Sequence, residues 1–387
     1  MRYCDSIFGH LLKPIDRRWF KAVVDRHDGD AYDKSFKSWD HLVFLIFAQL
    51  SGVEGLRGLR EVWNANAHHH YHLGVSEVAR ATVSDANARR PAAIFGEVFA
   101  RLSALASRQL RKEGDAMLRL IDSTPIPLGD LFHWAAWNGR IRGLKLHVVY
   151  DPLVDNPTRI AITPANVNDI QIGESFPIQA GTTYVFDKAY CKYPWWTAIC
   201  EADAFFVTRQ KTTSRFRAVR RRPLPKRKAD GFTILEDAEV RLVSKGDSKL
   251  DIAMRRITIR RDQGGKIVLL TNDMQRSAAQ IAALYKMRWQ IELLFRWIKQ
   301  HLKLKRFLGR NHNAIRLQII AAMIAYVLLR LVVRDSRLKM PVIRLADLLT
   351  TRLFMRAQIH KIDKPPEVHP SAAKSNWSLD QLGFAYA

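Results

Sequence analysis

A chain of 387 residues that is 48% hydrophobic carries enough apolar material for two or three packed domains, which excludes a mostly disordered protein. Its 62 Lys and Arg against 37 Asp and Glu leave a formal charge of +25, so the natural partner is a polyanion, with nucleic acid ahead of a membrane surface. Cys4, Cys191 and Cys200 have neither zinc-ligand spacing nor a CxxC, which points to a reducing cytosol without a disulfide frame or structural metal.

In chain order, MRYCDSIFGHLLKP lacks the apolar segment of a secretory signal. From Asp16 to about Leu110 the pattern is helical. WDHLVFLIFAQL (39–50) has apolar residues at helical spacing, with Ser38 or Asp40 to cap it. VSEVARATVSDANARRP (75–91) has the shape of a helix-turn-helix reader ending in Arg89 and Arg90, and an ordinary surface helix pair fits the same residues. His68, His69, His70 and His72 lack a spacing that aims them at one ion and read as a loop.

After Glu113 short β-branched runs take over: 117–128, 143–151, 159–167, 182–190 and 204–211, with a short helix at Tyr193–Glu201. That order suits an α/β domain with a mixed sheet. Lys145 and His147 share one face of their strand, either turned toward a metal site or, the favoured reading, a solvated face. RQKTTSRFRAVRRRPLPKRK (209–228) holds ten Lys or Arg and no acid, the composition of a DNA clamp or a solubilising loop. Three further strands follow (232–244, 248–262, 265–273), then a helix from near Ser277 to beyond Lys299. Ile319–Leu329 is an apolar run of eleven residues, too short to span a bilayer and expected to be a core helix. The tail from Asp363 is polar.

The candidate chemistry lies in three acids. Asp122 closes Met117–Ile121 and Asp187 closes Tyr184–Phe186, each at or near the end of a buried strand, where a carboxylate needs a partner or a cation. The plainer reading is that Asp122 caps a turn with Ser123 and that Asp187 pairs with Lys188. In LYKMRWQIELLFRWIKQHLK, Tyr285, Arg288, Glu292 and Lys299 fall within a helix stripe roughly 60° wide. A solvated face with an Arg288–Glu292 pair explains two of the four. From Arg296 to Arg310 six Lys or Arg, Lys303 among them, stand without an acid, with Trp297 and Phe307 interleaved as rings for bases.

The order D…D…E and the pattern Tyr285-x2-Arg288-x3-Glu292-x6-Lys299 resemble the YREK signature of insertion-sequence-four family DDE transposases. The strand-filled gap from Asp187 to Glu292 is similar to that family's β-insertion, and residues 8–52 are similar to the leading domain of one branch of it. The resemblance implies an RNase H-like mixed-sheet core at 113–335 with a β-rich insertion near 212–265. An α-helical DNA-binding domain at 1–112 would precede it and a helical segment and tail at 336–387 would follow.

It further implies that Asp122, Asp187 and Glu292 hold two Mg2+ or Mn2+ ions. Water would cut the DNA strand, and the freed 3′-OH would attack either the opposite strand, making a hairpin, or target DNA. Tyr285, Arg288 and Lys299, with Arg296 and Lys303 beside them, would grip phosphates of the element's terminal inverted repeats. Trp289 would stack on a flipped base or sit in the core. The resemblance also implies a homodimer on paired double-stranded DNA ends, in the cytoplasm, with no membrane partner. A DNA-binding protein without catalysis, or a nuclease of the same fold, shares the composition.

Overall fold

The computed structural model describes residues 5–110, 117–224, 231–243, 252–262, 264–301, 307–356, 359 and 362. It opens on helices α1 (Ile7–Leu12), α2 (Arg17–Arg26), α3 (Ser38–Leu50), α4 (Leu56–Ala65), α5 (His70–Leu73), α6 (Arg80–Arg89) and α7 (Ala92–Leu110). The Asp16 carboxylate caps α2 by accepting from the Arg18 and Trp19 N–H groups at 2.9 and 3.0 Å. Lys37 takes the cap position of α3, and Asp40 reaches back to its N–H at 3.1 Å while also accepting from Ser76 at 2.9 Å. Every residue of α3 is buried.

After the sheet strands described below come α10 (Ala278–Met287), α11 (Trp289–His301), α12 (His312–Asp335) and α13 (Val342–Leu349). The apolar run expected at Ile319–Leu329 is the middle of α12, which has 24 residues. By length and composition α12 is able to cross a membrane, yet 89% of its apolar window is buried inside this protein. It packs against α1, α3, α6, α7, α13 and the third strand, so the N-terminal helices and the end of the chain share one core. Asn313, on its first turn, donates to the carbonyls of Asn87 and Arg90 at 3.1 and 2.8 Å, tying α12 to the end of α6.

That packing decides several expectations. Arg90 is 3% exposed and bonded to Asp33 and three carbonyls, so it braces the 29–37 loop and is no DNA reader; Arg89 alone of the two faces solvent. The histidines form a helical turn, with His70 buried 4.4 Å from the Trp63 ring and His69 stacked on Phe354. They are not the loop that the sequence suggested, because His70 fills core space.

The sheet strands are β1 (Leu118–Pro127), β2 (Gly143–Asp151), β3 (Asn156–Pro164), β4 (Thr183–Phe186), β5 (Phe205–Arg209), β6 (Phe216–Arg221), β7 (Phe232–Leu242), β8 (Met254–Arg261) and β9 (Lys266–Thr271). Helix α8 (Asp169–Ser175), which the sequence reading missed, precedes β4, and α9 (Tyr193–Glu201) precedes β5. The order is β3-β2-β1-β4-β5-β9-β8-β7-β6. An antiparallel β1–β2–β3 meander joined to parallel β4 and β5 is the RNase H-like arrangement. Strands β6–β9 do not form a separate sheet: β9 pairs antiparallel with β5 and extends it.

Buried Arg255 fixes the insertion to the core. Its Nε and Nη2 donate to both Asp237 oxygens at 2.7 and 2.6 Å, and Nη1 donates to the Asp273 and Arg276 carbonyls at 3.2 and 2.6 Å, just before α10. A buried ion pair this well satisfied specifies one geometry, whatever it adds to stability.

His41 on α3 is fully buried, bonded through Nε2 to Asn87 Oδ1 at 2.9 Å, and burial together with the Arg90 charge lowers its pKa to about 3. The unfolded chain therefore takes up a proton near pH 6.5 that the folded chain refuses. This contribution is intact above pH 6.5 and is lost as pH falls from there toward 3. Between pH 7 and pH 5 it costs about 2 kcal/mol. Urea titrations should show this loss in the wild type and its absence in His41→Gln; the same pH dependence in both would remove His41 as the cause.

Candidate active site

The register of β1 against β4 builds the first half of the site. Ile121 pairs with Phe186 in the parallel ladder, so the next residue of each strand, Asp122 and Asp187, stands beside the other. Ile121 and Phe186 point to the core beneath α9, whereas Leu120 and Val185 point to the opposite core, which α10 and α11 cover. Alternation sends both aspartates to the α10–α11 side. Asp122 is not at a strand end, as the sequence suggested: β1 runs on to Pro127 because β2 remains its partner, with Asp122 opposite Val148. It is β4 that stops.

The second half comes from α10 and α11, one continuous helix in the sequence reading but interrupted here at Arg288. The Arg288 N–H bonds the Tyr285 carbonyl three residues back at 3.1 Å, tightening the backbone there. From this point Arg288 Nη1 donates to Asp122 Oδ2 at 3.0 Å and Nη2 to Glu292 Oε1 at 2.6 Å. Tyr285 donates a long hydrogen bond, 3.4 Å, to Asp187 Oδ1. Tyr285, Arg288 and Glu292 thus meet Asp122 and Asp187 across 166 residues of chain between Asp122 and Arg288.

Burial raises the Asp122 carboxyl to about 6, against the Ser123 N–H and Arg288, while Glu292 and Asp187 add to the rise. Burial likewise lifts the Tyr285 hydroxyl to about 12 over the opposing charge of Arg288, so it stays a donor. At Arg288 burial works against the charge, but Tyr285, Asp122 and Glu292 outweigh it and raise its pKa.

The other sequence candidates are distributed around this centre. Trp289 is 52% exposed beside Arg288, so it is not a core residue. Arg296 is exposed one turn beyond Glu292. Lys299 is not on the carboxylate centre: it lines a cavity of about 240 Å³ with Gln49, Glu54 and Gln300, between α11 and the end of α3, and burial lowers its pKa. Lys303 lies outside the described residues. Trp297 is not available for bases, since it is buried against Tyr326 with ring centres 4.8 Å apart; Phe307 packs edge-on to Phe132 at 6.1 Å.

One acid escaped the sequence reading. Asp169, at the start of α8, accepts from Ser123 Oγ at 2.9 Å and Lys145 Nζ at 2.8 Å, with His147 Nδ1 3.9 Å away. Lys145 and His147 do not form a solvated face. His147 is fully buried, bonded to Thr163 at 2.9 Å, and burial with the Lys145 charge lowers its pKa to about 4 despite Asp169. The hint in sequence was only that Lys145 and His147 share a strand face; nothing there pointed to the turn that brings Asp169 back.

Residues 113–328 match the family described as "Transposase DDE domain", and residues 3–76 match one described as "Domain of unknown function (DUF4372)". The chain belongs to the DDE transposase family. A Sinorhizobium fredii protein named as a transposase, y4zB, is 59% identical over 304 residues, covering 79% of this chain and 85% of that protein. A protein of Geobacillus stearothermophilus named as a transposase for insertion sequence element IS5377 is 30% identical over 74% of this chain and 75% of its own length. One from Synechocystis, named for insertion sequence element IS4SA, is 28% identical over 65% of this chain and 71% of its own. Among solved structures, a piggyBac transposase synaptic complex with hairpin DNA aligns at a TM-score of 0.45 and 10% identity, over 95% of this chain and 82% of that one.

The carboxylates of this transposase fit hard divalent ions by donor type. Among the described residues, however, no three acids, histidines or cysteines close on a single point. The Arg288 guanidinium stands between Asp122 and Glu292.

Removing Asp169 leaves Lys145, whose side chain is 15% exposed, and Ser123 short of an acceptor. Asp169→Ala should lower stability by about 1–3 kcal/mol, and a double-mutant cycle with Lys145→Met should return most of that as coupling. Additive losses would mean that the two act independently.

Proposed function

We infer that this transposase cuts and rejoins DNA at the ends of an insertion sequence, with Asp122, Asp187 and Glu292 holding two divalent cations, Mg2+ or Mn2+. The observation that supports the reading is the placement of Asp122 and Asp187 on neighbouring strands, with Glu292 of α11 joined to Asp122 through the Arg288 guanidinium. When bound, such a pair of ions stabilises the attacking and leaving oxygens of an in-line phosphoryl transfer. Water is the first nucleophile and the freed 3′-OH the second, acting on the opposite strand or on target DNA.

The rest of the chain holds the substrate. Exposed Arg296, Trp289 and the Lys299 cavity line the same helix as Glu292, and Arg288 and Tyr285 stand at its head. They supply cations and one free ring along a backbone path. Residues 1–112 recognise the terminal inverted repeats, 113–335 carry the chemistry and 336–387 form the C-terminal segment. Two relatives named for insertion sequence elements support an element end as substrate. A homodimer on paired ends, working in the cytoplasm on nucleoid DNA, completes the reading, since two ends cut in concert suit a closed symmetric assembly.

Cleavage of a labelled duplex carrying the terminal repeat of the element, with Mg2+, tests it. Asp122→Ala, Asp187→Ala and Glu292→Ala should each lose at least a hundredfold in cleavage while binding the duplex almost normally, because each removes a carboxylate and no cation. Cleavage that survives any one of them removes that residue from the triad. In the same duplex, Lys299→Ala should weaken binding and flatten its salt dependence by about one unit in slope; an unaltered slope would mean that Lys299 meets no phosphate.

A further inference from the structure

Two buried arginines that build this fold are saturated. Arg90 places all three guanidinium nitrogens on acceptors, and Arg255 does the same with a bidentate Asp237 and two carbonyls. Arg288 is held differently. It touches each carboxylate through one nitrogen, and its buried Nε has no acceptor among the described residues. A buried N–H left unpaired is a standing cost, one that Arg256 and Arg330 also carry, so the case for Arg288 rests on where its guanidinium stands.

Two more observations bear on the same residue. Arg288 occupies the one-residue interruption between α10 and α11, where a change in backbone angle costs the least helical bonding. Its guanidinium also stands between Asp122 and Glu292 and is paired with both.

We propose that Arg288 is a positioning residue that exchanges partners: in the DNA-free protein it occupies Asp122 and Glu292 and competes with divalent cations, and a DNA phosphate draws it off. The proposal rests on the reading of those carboxylates as cation ligands. The physical reason is charge: a guanidinium 2.6–3.0 Å from both acids offsets part of their negative charge and repels an approaching divalent ion. An arginine fork matches phosphate as well as carboxylate, so a strand lying along α11 offers it an exchange without loss of pairing. Cation loading then follows DNA binding, and a free transposase carries its acids disarmed.

The test is Mn2+ binding to the full-length, DNA-free chain, followed by electron paramagnetic resonance. Arg288→Gln is expected to bind Mn2+ at least tenfold more tightly than the wild type, and Arg288→Lys, which keeps the charge, to stay within about threefold of it. Asp122→Asn defines the site by abolishing the binding. If Arg288→Gln binds no tighter, or more weakly, while Asp122→Asn still abolishes binding, the exchange is wrong and the carboxylate reading stands. If no variant shows Mn2+ binding that depends on Asp122, both fall. Should Arg288→Gln prove unfolded by circular dichroism, the wild type alone decides: the Arg288 Nε–H resonance must move on Mg2+ saturation, and a fixed resonance overturns the exchange.

Discussion

Two like charges, side by side where a parallel strand pair ends, are the constraint around which this transposase is organised. The pairing of Ile121 with Phe186 leaves Asp122 and Asp187 no way to avoid each other, and alternation turns both toward the helices that cover the sheet. Glu292 adds a third negative group. Such a centre persists only when cations stand opposite it, and the chain supplies one of its own in Arg288. The interruption of the helix at Arg288, the burial of Tyr285 and the fixing of the insertion by Arg255 just before α10 all hold that balance in place.

The surrounding structure keeps the acids at a fixed level. Helix α12 is a shared spine, gripping the N-terminal helices on one side and the β1–β3 meander on the other. Its Tyr326 donates to Asp155, whose carboxylate also takes Tyr150 and pairs with Arg330 at 3.0 Å, so the spine reaches the β2–β3 turn through one carboxylate.

The acids were legible because their chemistry is local. A carboxylate closing an apolar run is visible in Leu120-Ile121-Asp122 and Val185-Phe186-Asp187, and a helix stripe fixes Tyr285, Arg288 and Glu292 relative to one another. The mixed sheet was legible for the same reason, from β-branched runs bounded by turns. What the residues did not give was anything set by long-range packing. Trp297 and Trp289 look alike in sequence, and only the position of α12 buries one and leaves the other exposed. Arg90 looked like a DNA reader until the 29–37 loop closed over it. Asp169 reaches Ser123 because α8 turns back toward β1, a path that no periodicity encodes. Lys299 follows the stripe in spacing, yet its end of α11 lies against α3.

The insertion strands continue the catalytic sheet, which makes the sheet a ruler. From β4, beside Asp187, to the outer strand β6 there are five strand intervals. At roughly 4.8 Å each this amounts to about 24 Å along the sheet. Arg217 and Arg221 are exposed on β6. A phosphate held there would stand off from Asp187 by about seven nucleotides of a strand rising 3.4 Å per step. Because β9 is hydrogen-bonded directly to β5, that spacing along the sheet is set by hydrogen bonds and not by the loops between strands.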